Sequence, residues 1–504
     1  MSYLTPTWPI YPAQLKQVMA MQNQNILRLS CRSKDELGCI LNLAAPAAVA
    51  SSGWLTHLAL CAEADRRSHP ILEKFSEWRW LSESKTIKAP KIDHIRLGPR
   101  ETAMRFGAVR RLARTATWSP LLQIPRALAQ TKTIAVSHNS LMIDCIKSQG
   151  ILAKYCHGDQ LLKSLQVNVK INDDLISSAV KEFLATYTNI PELSAERRQS
   201  LSEILSPRIK IIMTKAQQAL AATKLWESAP EILLSGTGGV FHARALGLEV
   251  LRRGGEVWRY DHGGIRPLIK EAAGLLLVEA APSTQFITFT QEMAKFADTS
   301  SERNLVPNCR MLGGKGDPHF RKSPGILPKP KNGKGKVLYV PGIITDQREL
   351  YPPLPASSIF VDWQRKVAHT LSKLPVLSVA KPHPEGLFRG QKYPLEDILK
   401  IESGLFENVM KEFDLFIFDY SVSTAFCVAL CSHTPIILLD MGLAQYRPEI
   451  TEMLHSRCKV ISCEWDEQNR PILDHEKLKD AVMSALQMRE IDPKPFRRLL
   501  TGSD

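Results

Sequence analysis

Short apolar runs alternate with amphipathic stretches through the C-terminal third of the chain, and this alternation predicts a parallel α/β domain. Four runs have the length and composition of buried strands: "KVLYVPG", "PVLSVA", "DLFIFD" and "PIILLD". Apolar residues at helical spacing predict helices at 357–374 and 395–413, and a further helix from about Thr424. Strands that alternate with helices form parallel sheets covered by helices. We assign this domain to residues 337–490 and a tail to residues 491–504.

The N-terminal half repeats this pattern less regularly. Apolar runs end in "SHN", "SGTGG" and "YDHGG", which are the polar or glycine-rich endings typical of strand-to-helix turns. Residues 175–228 interrupt the alternation with the apolar spacing of helices. We predict a second doubly wound domain over residues 1–322, with a helical insertion at about 175–228. A linker follows at 323–336, where proline, glycine and lysine cannot build a core. The predicted fold class is α/β, with two Rossmann-like domains that face a cleft.

One uncharged stretch, from Leu37 to Ala62, is long enough to span a bilayer. Polar residues, Pro46 and Gly53 interrupt it, so we predict a buried strand, a turn and a helix that starts near Ser52. The first residues lack the basic start and apolar core of a signal peptide. These features predict a soluble, cytoplasmic protein.

Charge narrows the class of partner. The chain has 504 residues, and its 65 Lys and Arg outnumber its 51 Asp and Glu, which favours a partner that carries phosphate. The excess is densest at residues 85–132, where only Asp93 and Glu101 are acidic. We predict that this stretch contacts an anionic membrane surface; a polyanionic glycan, nucleic acid or plain solvent are the alternatives. The ten cysteines form no CxxC pair, so we predict reduced thiols and no metal site.

Polar side chains follow two predicted strands of the C-terminal domain. Ligands of open parallel sheets bind beyond the carboxyl ends of the strands, and helix N-termini attract phosphate there. "FIFDYSVSTAF" supplies hydroxyls at one such end, although one of them could simply cap the helix. "AKPHPEG" supplies a cation and an imidazole at the end of the preceding strand, and we predict that these two strand ends are adjacent in the sheet. The candidate phosphate-binding residues are Lys381, His383, Pro384, Asp419, Tyr420, Ser421, Ser423 and Thr424.

The N-terminal half offers two further candidates. A glycine-rich turn with Asp261 some twenty positions on partly fits a dinucleotide site, but Phe241 stands where a third glycine belongs. The same glycines suit close approach of an acceptor or a phosphate. Asp261 and His262 combine a carboxylate with an imidazole, which suits a general base or a nucleophile. The candidate cleft residues are His138, Gly236, Gly238, Gly239 and Gly263.

"KPHPEG" followed by "DLFIFDYSVSTAFCVALCSHTPIILLD" resembles the C-terminal domain of a GT-B group of transferases. The group includes CDP-glycerol glycerophosphotransferases and enzymes that use CMP-activated Kdo or sialic-type sugars. The resemblance covers about residues 230–445. It implies that His383 and Pro384 contact the cytidine nucleotide, that residues 419–424 bind its phosphate, and that "YDHGG" is the family's His-Gly element at His262 and Gly263. Val422 separates the two serines, which departs from the family's pattern.

The resemblance implies a metal-independent glycosyltransferase of bacterial cell-envelope polysaccharide biosynthesis. It would move a Kdo or nonulosonic-acid sugar from a CMP donor to a surface-polysaccharide, lipid-linked or protein-linked glycan, with no other cofactor and no specific nucleic acid. Asp261 or His262 would act as base, or Asp261 would attack the anomeric carbon in a retaining reaction. We expect it in the cytoplasm, at the inner face of the membrane. The alternatives are a CDP-glycerol-type phosphotransferase, a UDP-sugar enzyme, and a non-catalytic scaffold that binds polyanions or membranes.

Overall fold

The computed structural model describes residues 10–68, 107–119, 121–129, 132–165, 170–321, 335–345, 352–488 and 490–503. The chain divides into two compact units. The C-terminal unit consists of Met1–Met19, Gly263–Lys270 and His319–Asp504, and the N-terminal unit consists of Ala20–His262 and Glu271–Pro318. The C-terminal unit thus includes a short piece of the N-terminal half, residues 263–270. Most of the predicted linker, residues 323–334, lies outside the described residues.

The N-terminal unit contains a six-stranded parallel sheet with the strand order β2-β1-β3-β4-β5-β6. From β1 the chain proceeds to one side for β2 and then to the other side for the remaining four strands. The order of strands thus reverses between β1 and β3. The strands are β1 Thr133–Ala135, β2 Lys154–Tyr155, β3 Ile232–Ser235, β4 Glu256–Tyr260, β5 Gln285–Thr288 and β6 Arg310–Gly313.

Helices cover this sheet, and two of them form the predicted helical segment. These two, α7 and α8, begin at side-chain caps, Asn172 and Ser194. A π-helix, Leu276–Ala280, precedes β5. In chain order the helices are α1 Pro12–Cys31, α2 Glu36–Ser68, α3 Gly107–Trp118, α4 Ile124–Ala129, α5 Ser140–Gln149, α6 Gly158–Ser164, α7 Asp173–Tyr187, α8 Ala195–Lys224, α9 Phe241–Arg252, α10 Ala273–Leu275 and α11 Gln291–Asp298, with 3₁₀ turns at Leu121–Gln123 and Arg303–Leu305.

The uncharged stretch is a single helix, α2, so the prediction of a strand, a turn and a helix is wrong. Pro46 lies inside α2, where it removes one backbone hydrogen bond. The helix continues because alanine and leucine flank the proline and because α2 packs against α8. Within the described part of the chain, Glu36–Ala64 is the one helical stretch apolar and long enough to span a membrane, and 56% of an apolar 18-residue window within it is buried in the protein. Core helices of soluble proteins have these same properties.

The C-terminal unit contains a second six-stranded parallel sheet, in the order β12-β11-β10-β7-β8-β9. Its order reverses between β7 and β10. The strands are β7 Lys336–Val340, β8 Leu377–Ala380, β9 Lys400–Ile401, β10 Leu415–Phe418, β11 Ile436–Asp440 and β12 Lys459–Ser462, followed by an antiparallel pair, β13 Glu464–Trp465 and β14 Pro471–Ile472.

The core of this unit lies where its helices pack on the sheet, around Tyr339, Trp363 and Ile417. The helices are α12 Pro318–Arg321, α13 Ser357–Ser372, α14 Phe406–Val409, α15 Thr424–Leu430, α16 Pro448–Arg457, α17 His475–Ala485 and α18 Lys494–Thr501, with 3₁₀ turns at Arg266–Leu268 and Met410–Glu412. Two parallel sheets wrapped by helices confirm the predicted α/β class.

Two details of the C-terminal sheet differ from the prediction. Residues 395–413 are not one helix: β9, α14 and a 3₁₀ turn replace it. Gly404 breaks the helical pattern there, and its amide donates to the Glu402 side chain at 2.8 Å, which forms a local turn. The ends of β8 and β10 are also not neighbours in the sheet, because β7 lies between them.

Candidate functional site

The C-terminal sheet places its candidate residues around the point where its strand order reverses. In open parallel sheets, the crevice at this point is the usual ligand site. Residues 341–345 follow β7 and residues 419–423 follow β10, so these two loops border the reversal. Lys381 and His383 follow β8, one strand further away. The sheet thus brings both predicted motifs to one edge.

Asp419 fastens the two bordering loops to each other. Its side chain is buried, with 2% exposed. Its Oδ2 accepts a hydrogen bond from the Tyr339 hydroxyl at 2.5 Å, and its Oδ1 accepts one from the Gly342 amide at 2.6 Å. Burial raises the pKa of Asp419 to about 6, although both hydrogen bonds oppose this effect. Its carboxylate therefore holds protein atoms, and we interpret it as a positioning group.

The Gly342 peptide is bound on its other side as well. The Gln364 side-chain amide donates to the Gly342 carbonyl at 2.9 Å, and the Tyr393 hydroxyl donates to the Gln364 side-chain oxygen at 2.8 Å. The glycine is required, because a Cβ there would lie 2.7 Å from the Cβ of Tyr420. Sequence analysis missed this support, since its members come from separate elements and share no local pattern.

The three hydroxyls between β10 and α15 have different environments. Ser423 caps α15, because its Oγ accepts a hydrogen bond from the Phe426 amide at 3.2 Å. The capping alternative is therefore correct for this serine. Ser421 is buried, whereas Thr424 is exposed. The amides of the first turn of α15 have no intrahelical acceptor. We name residues 421–424 the hydroxyl turn; phosphate binding there stays a prediction.

Residues 263–270 contribute to this edge from the N-terminal half. Gly263 has φ +92°, and a Cβ there would lie 3.0 Å from the Thr424 Oγ1. Arg266 acts electrostatically on the phenol of Tyr420: burial raises the pKa of Tyr420, and the Arg266 charge opposes this. Sequence analysis missed Arg266, because only the fold brings residue 266 beside residue 420.

Lys381 is a buried cation at the end of β8, with 6% of its surface exposed. Its backbone amide donates to the Tyr339 carbonyl at 2.7 Å. Burial lowers its pKa, and the charges of Glu402 and Glu407 partly oppose this. Among the residues that the structure describes, no side chain forms an ion pair or a hydrogen bond with its ammonium. A buried cation in this state is costly, so an anionic ligand would stabilise it.

His383 is exposed beside a small cavity. Its Nδ1 lies 3.1 Å from the Glu385 amide nitrogen and 3.3 Å from the Glu385 carbonyl oxygen, so it accepts from the first in one tautomer and donates to the second in the other. Partial burial of the ring lowers its pKa. Pro384 is exposed next to it. The cavity has a volume of about 20 Å³, enough for one water molecule, and its lining includes Ile343, Ile344, Glu385, Leu387, Phe388 and Tyr393.

In the N-terminal unit, Asn139 binds the loops together where the strand order reverses. Its side-chain nitrogen lies 2.9 Å from the carbonyl oxygens of Gly236 and Asp261 and 3.1 Å from that of Tyr260. Its side-chain oxygen caps α5 by accepting from the Met142 amide at 2.8 Å. One residue thus fixes the loops after β1, β3 and β4. Sequence analysis selected its neighbour His138 instead.

His138 is bound by Arg114. A guanidinium nitrogen of Arg114 lies 2.6 Å from the His138 Nε2, so this ring nitrogen acts as the acceptor. Burial lowers the pKa of His138, and the Arg114 charge lowers it further. The ring packs edge-on against Tyr155 at 5.9 Å. His138 thus connects the ends of β1 and β2 to α3.

A buried carboxylate occupies the glycine-rich turn after β3. Glu279, from the π-helix, accepts hydrogen bonds from the Gly238 amide at 2.5 Å and from the Thr237 hydroxyl at 3.1 Å. A Cβ on Gly238 would lie 2.3 Å from the Val278 carbonyl oxygen, and Gly239 is similarly confined by the Val278 side chain. These glycines therefore serve close packing and an internal anion, which weakens the dinucleotide alternative.

Asp261 and His262 differ sharply in accessibility. Asp261 is 2% exposed, and its backbone amide donates to the Ile287 carbonyl at 2.8 Å. The side chain of His262 is 54% exposed, and its Nδ1 lies 3.9 Å from the Glu279 Oε1. A base must reach its proton within hydrogen-bonding distance. Of the two side chains, that of His262 is the accessible one, and a role for either as a base stays a prediction.

Other predictions concern metals, thiols and the basic stretch. Among the residues described, no group of three or more His, Cys, Asp and Glu side chains could hold a metal ion. All ten cysteines are free thiols. The first part of the basic stretch, residues 85–106, lies outside the described residues. Of its described cations, Arg114 binds His138, Lys132 pairs with Glu231 at 3.1 Å, and Arg126 is exposed.

Comparisons with known proteins give similarities of fold. No family model and no curated protein matches the chain. A structure from Listeria monocytogenes, provisionally described as a UDP-N-acetylglucosamine 2-epimerase, is 11% identical, with a TM-score of 0.35 over 74% of this chain and 91% of the other. CalG4, the calicheamicin glycosyltransferase, is 14% identical, with a TM-score of 0.32 over 73% of this chain and 86% of the other. Identities and TM-scores this low do not indicate a function.

Proposed function

We propose that this chain is a glycosyltransferase whose C-terminal unit binds the nucleotide of an activated sugar. One observation carries the proposal: the carboxyl edge of the C-terminal sheet combines a buried cation, whose ammonium makes no ion pair or hydrogen bond within the described residues, with a hydroxyl turn and an exposed imidazole. Positive charge and hydrogen-bond donors of this kind are what the phosphate of a nucleotide requires.

The chemistry follows from these groups. Negative charge develops on the departing nucleotide as its bond to the sugar breaks, and Lys381 and the hydroxyl turn would stabilise it. The imidazole of His383 would form a hydrogen bond with the nucleotide. His262 would accept the proton of the acceptor hydroxyl, and the nearby Glu279 carboxylate would stabilise the imidazolium that forms.

The finer proposal concerns the donor. From the resemblance of "KPHPEG" and "FDYSVST" to CMP-sugar enzymes, we propose a CMP-linked Kdo or nonulosonic acid as donor and a surface-polysaccharide, lipid-linked or protein-linked glycan as acceptor. CDP-glycerol and UDP-sugar chemistry would use the same edge of the sheet. These alternatives differ in the identity of the donor nucleotide, so nucleotide binding is the property to measure first.

The test is thermal unfolding of the full chain with CMP, CDP, UDP and NAD, repeated with Lys381→Ala and His383→Ala. A ligand at a hundred times its Kd stabilises a protein by about 2.7 kcal/mol, which is readily measured. We expect CMP to raise the Tm of the wild type and of a matched control, Lys373→Ala, which changes an exposed lysine before β8. Both site variants should lose this shift.

Other results would change the conclusion. A shift with CDP or UDP and none with CMP would retain a nucleotide-dependent transferase and reject the proposed donor. A shift with NAD alone would reject the glycosyltransferase. No shift with any nucleotide, in a protein that unfolds cooperatively, would favour the scaffold that binds polyanions.

A further inference from the structure

The segment 263–270 is fixed to the C-terminal unit by backbone pairing. Ile269 forms an antiparallel bridge with Tyr446, and the Lys270 amide donates to the Gln445 carbonyl at 2.9 Å. The Arg447 amide donates to the Leu268 carbonyl at 3.1 Å. The loop after β11 thus holds the segment in place, although the segment itself precedes the whole C-terminal sheet in sequence.

The first residues of the segment approach the hydroxyl turn closely. Gly263 and Gly264 both have positive φ, +92° and +72°, a conformation that favours glycine. A Cβ at position 263 would lie 3.0 Å from the Thr424 Oγ1. The backbone at Gly263 therefore lies beside the hydroxyl turn, and Arg266 follows three residues later.

Arg266 is a cation that the segment 263–270 contributes to the C-terminal unit. It begins the 3₁₀ turn Arg266–Leu268 and is half-buried. Its charge acts on Tyr420, the residue before the hydroxyl turn. Throughout the described parts of the chain, no side chain or carbonyl makes an ion pair or a hydrogen bond with its guanidinium. Two other cations near this segment differ from Arg266. The Arg447 Nε donates a hydrogen bond to the Pro267 carbonyl at 3.2 Å, and Lys270 is exposed.

We propose that Arg266 binds the phosphate of the donor nucleotide, together with the hydroxyl turn. The inference rests on the proposed function and adds to it a phosphate ligand from the N-terminal half. A guanidinium matches two phosphate oxygens at once, which makes it a stronger and more directional partner than an ammonium.

The test compares nucleotide with nucleoside. Calorimetric titration of the full chain uses whichever of CMP, CDP and UDP stabilises the wild type, and also the matching nucleoside, cytidine or uridine. Arg266→Ala should weaken nucleotide binding about 10- to 100-fold, the usual worth of a hydrogen bond to a charged group. It should leave nucleoside binding unchanged. Arg266→Lys should lose less, and Lys270→Ala, the matched control from the same segment, should bind like the wild type.

The outcomes separate this inference from the function beneath it. If the wild type binds a nucleotide and Arg266→Ala binds it equally well, Arg266 is not a phosphate ligand, and the proposed function stands. An equal loss for nucleotide and nucleoside would also overturn the inference, because it would indicate a structural role. If the wild type binds no nucleotide, the proposed function and the inference both fail. The Tm of each unliganded variant checks that it folds, and Arg266→Lys gives the answer if the alanine variant does not.

Discussion

Each sheet has a strand-to-helix turn beside the point where its strand order reverses, and the two turns differ in whether an anionic group of the protein is already bound. In the N-terminal unit, the glycine-rich turn after β3 already binds a carboxylate, that of Glu279. In the C-terminal unit, the hydroxyl turn after β10 has the cation Arg266 nearby, and Lys381 lies on the same edge. Equivalent topology therefore produces one turn satisfied from within the protein and one suited to an anionic ligand.

The glycine-rich turn of the N-terminal unit departs from the usual interpretation of such sequences. Glycine-rich turns are associated with phosphate because free amides and close approach favour it. Here Val278 and Glu279 of the protein itself lie close to the glycine backbone, in the space that a ligand would need. The turn without glycine is the better candidate for phosphate. The positions of the charged groups decide whether a turn is suited to phosphate. The fold determines these positions, and a short motif does not.

The largest expected effect comes from removing the internal anion. Glu279→Ala leaves the buried amide of Gly238 without its acceptor and leaves two buried arginines, Arg244 and Arg259, without the nearby carboxylate. We expect a loss of roughly 3 kcal/mol in the free energy of unfolding, measured by urea denaturation. Glu292→Ala, at an exposed glutamate of α11, is the control and should change it by less than about 0.5 kcal/mol. A wild-type value for Glu279→Ala would show that the glycine-rich turn does not depend on this carboxylate.

The next effect is a pH dependence at the C-terminal turn. The pKa of Asp419 is about 6 in the folded protein against an ordinary 3.8, so the folded state binds its proton more tightly. Its stabilising contribution is therefore complete below about pH 4 and is lost as pH rises through 6, by up to about 3 kcal/mol. Asp419→Asn lacks this titration. The free energy of unfolding of the wild type minus that of the variant should fall between pH 4 and pH 7. A constant difference would contradict the raised pKa.

The smallest effect separates two neighbouring hydroxyls. Ser423→Ala removes the cap of α15 and should cost about 1 kcal/mol of stability. Thr424→Ala changes an exposed residue and should leave the Tm of the free protein nearly unchanged, while it reduces the shift produced by the nucleotide. Thermal unfolding of both variants, with and without nucleotide, measures the two effects together. Equal behaviour of the two variants would remove the distinction between cap and ligand.

The strands and most helices were predictable because their signals are local. Apolar runs such as "DLFIFD" and the helical spacing of residues 175–228 depend only on neighbouring positions. Prediction failed where tertiary packing overrides a local signal, as in α2, which continues through Pro46. It also failed at residues 395–413, where Gly404 interrupts an otherwise helical pattern.

The candidate site was only partly predictable, for the same reason. Lys381, His383 and the hydroxyl turn follow strands, so their position at the sheet edge can be read from sequence. Glu279, Asn139 and Arg266 act on residues far from them in the chain, and nothing in their surroundings marks them. The sequence also could not distinguish the accessible His262 from the buried Asp261 beside it.

The pairing of residues 268–270 with residues 445–447 has a consequence for biosynthesis. The segment leaves the ribosome long before its partner loop is made, on the order of ten seconds earlier at ordinary rates of translation. Until then its backbone groups have no strand-like partner, and the C-terminal unit cannot be completed by residues 319–504 alone. A fragment cut at that boundary would lack both the N-terminal Met1–Met19 piece and the segment. The two units are therefore products of one uninterrupted polypeptide, and dissection of the gene into two halves would separate neither of them cleanly.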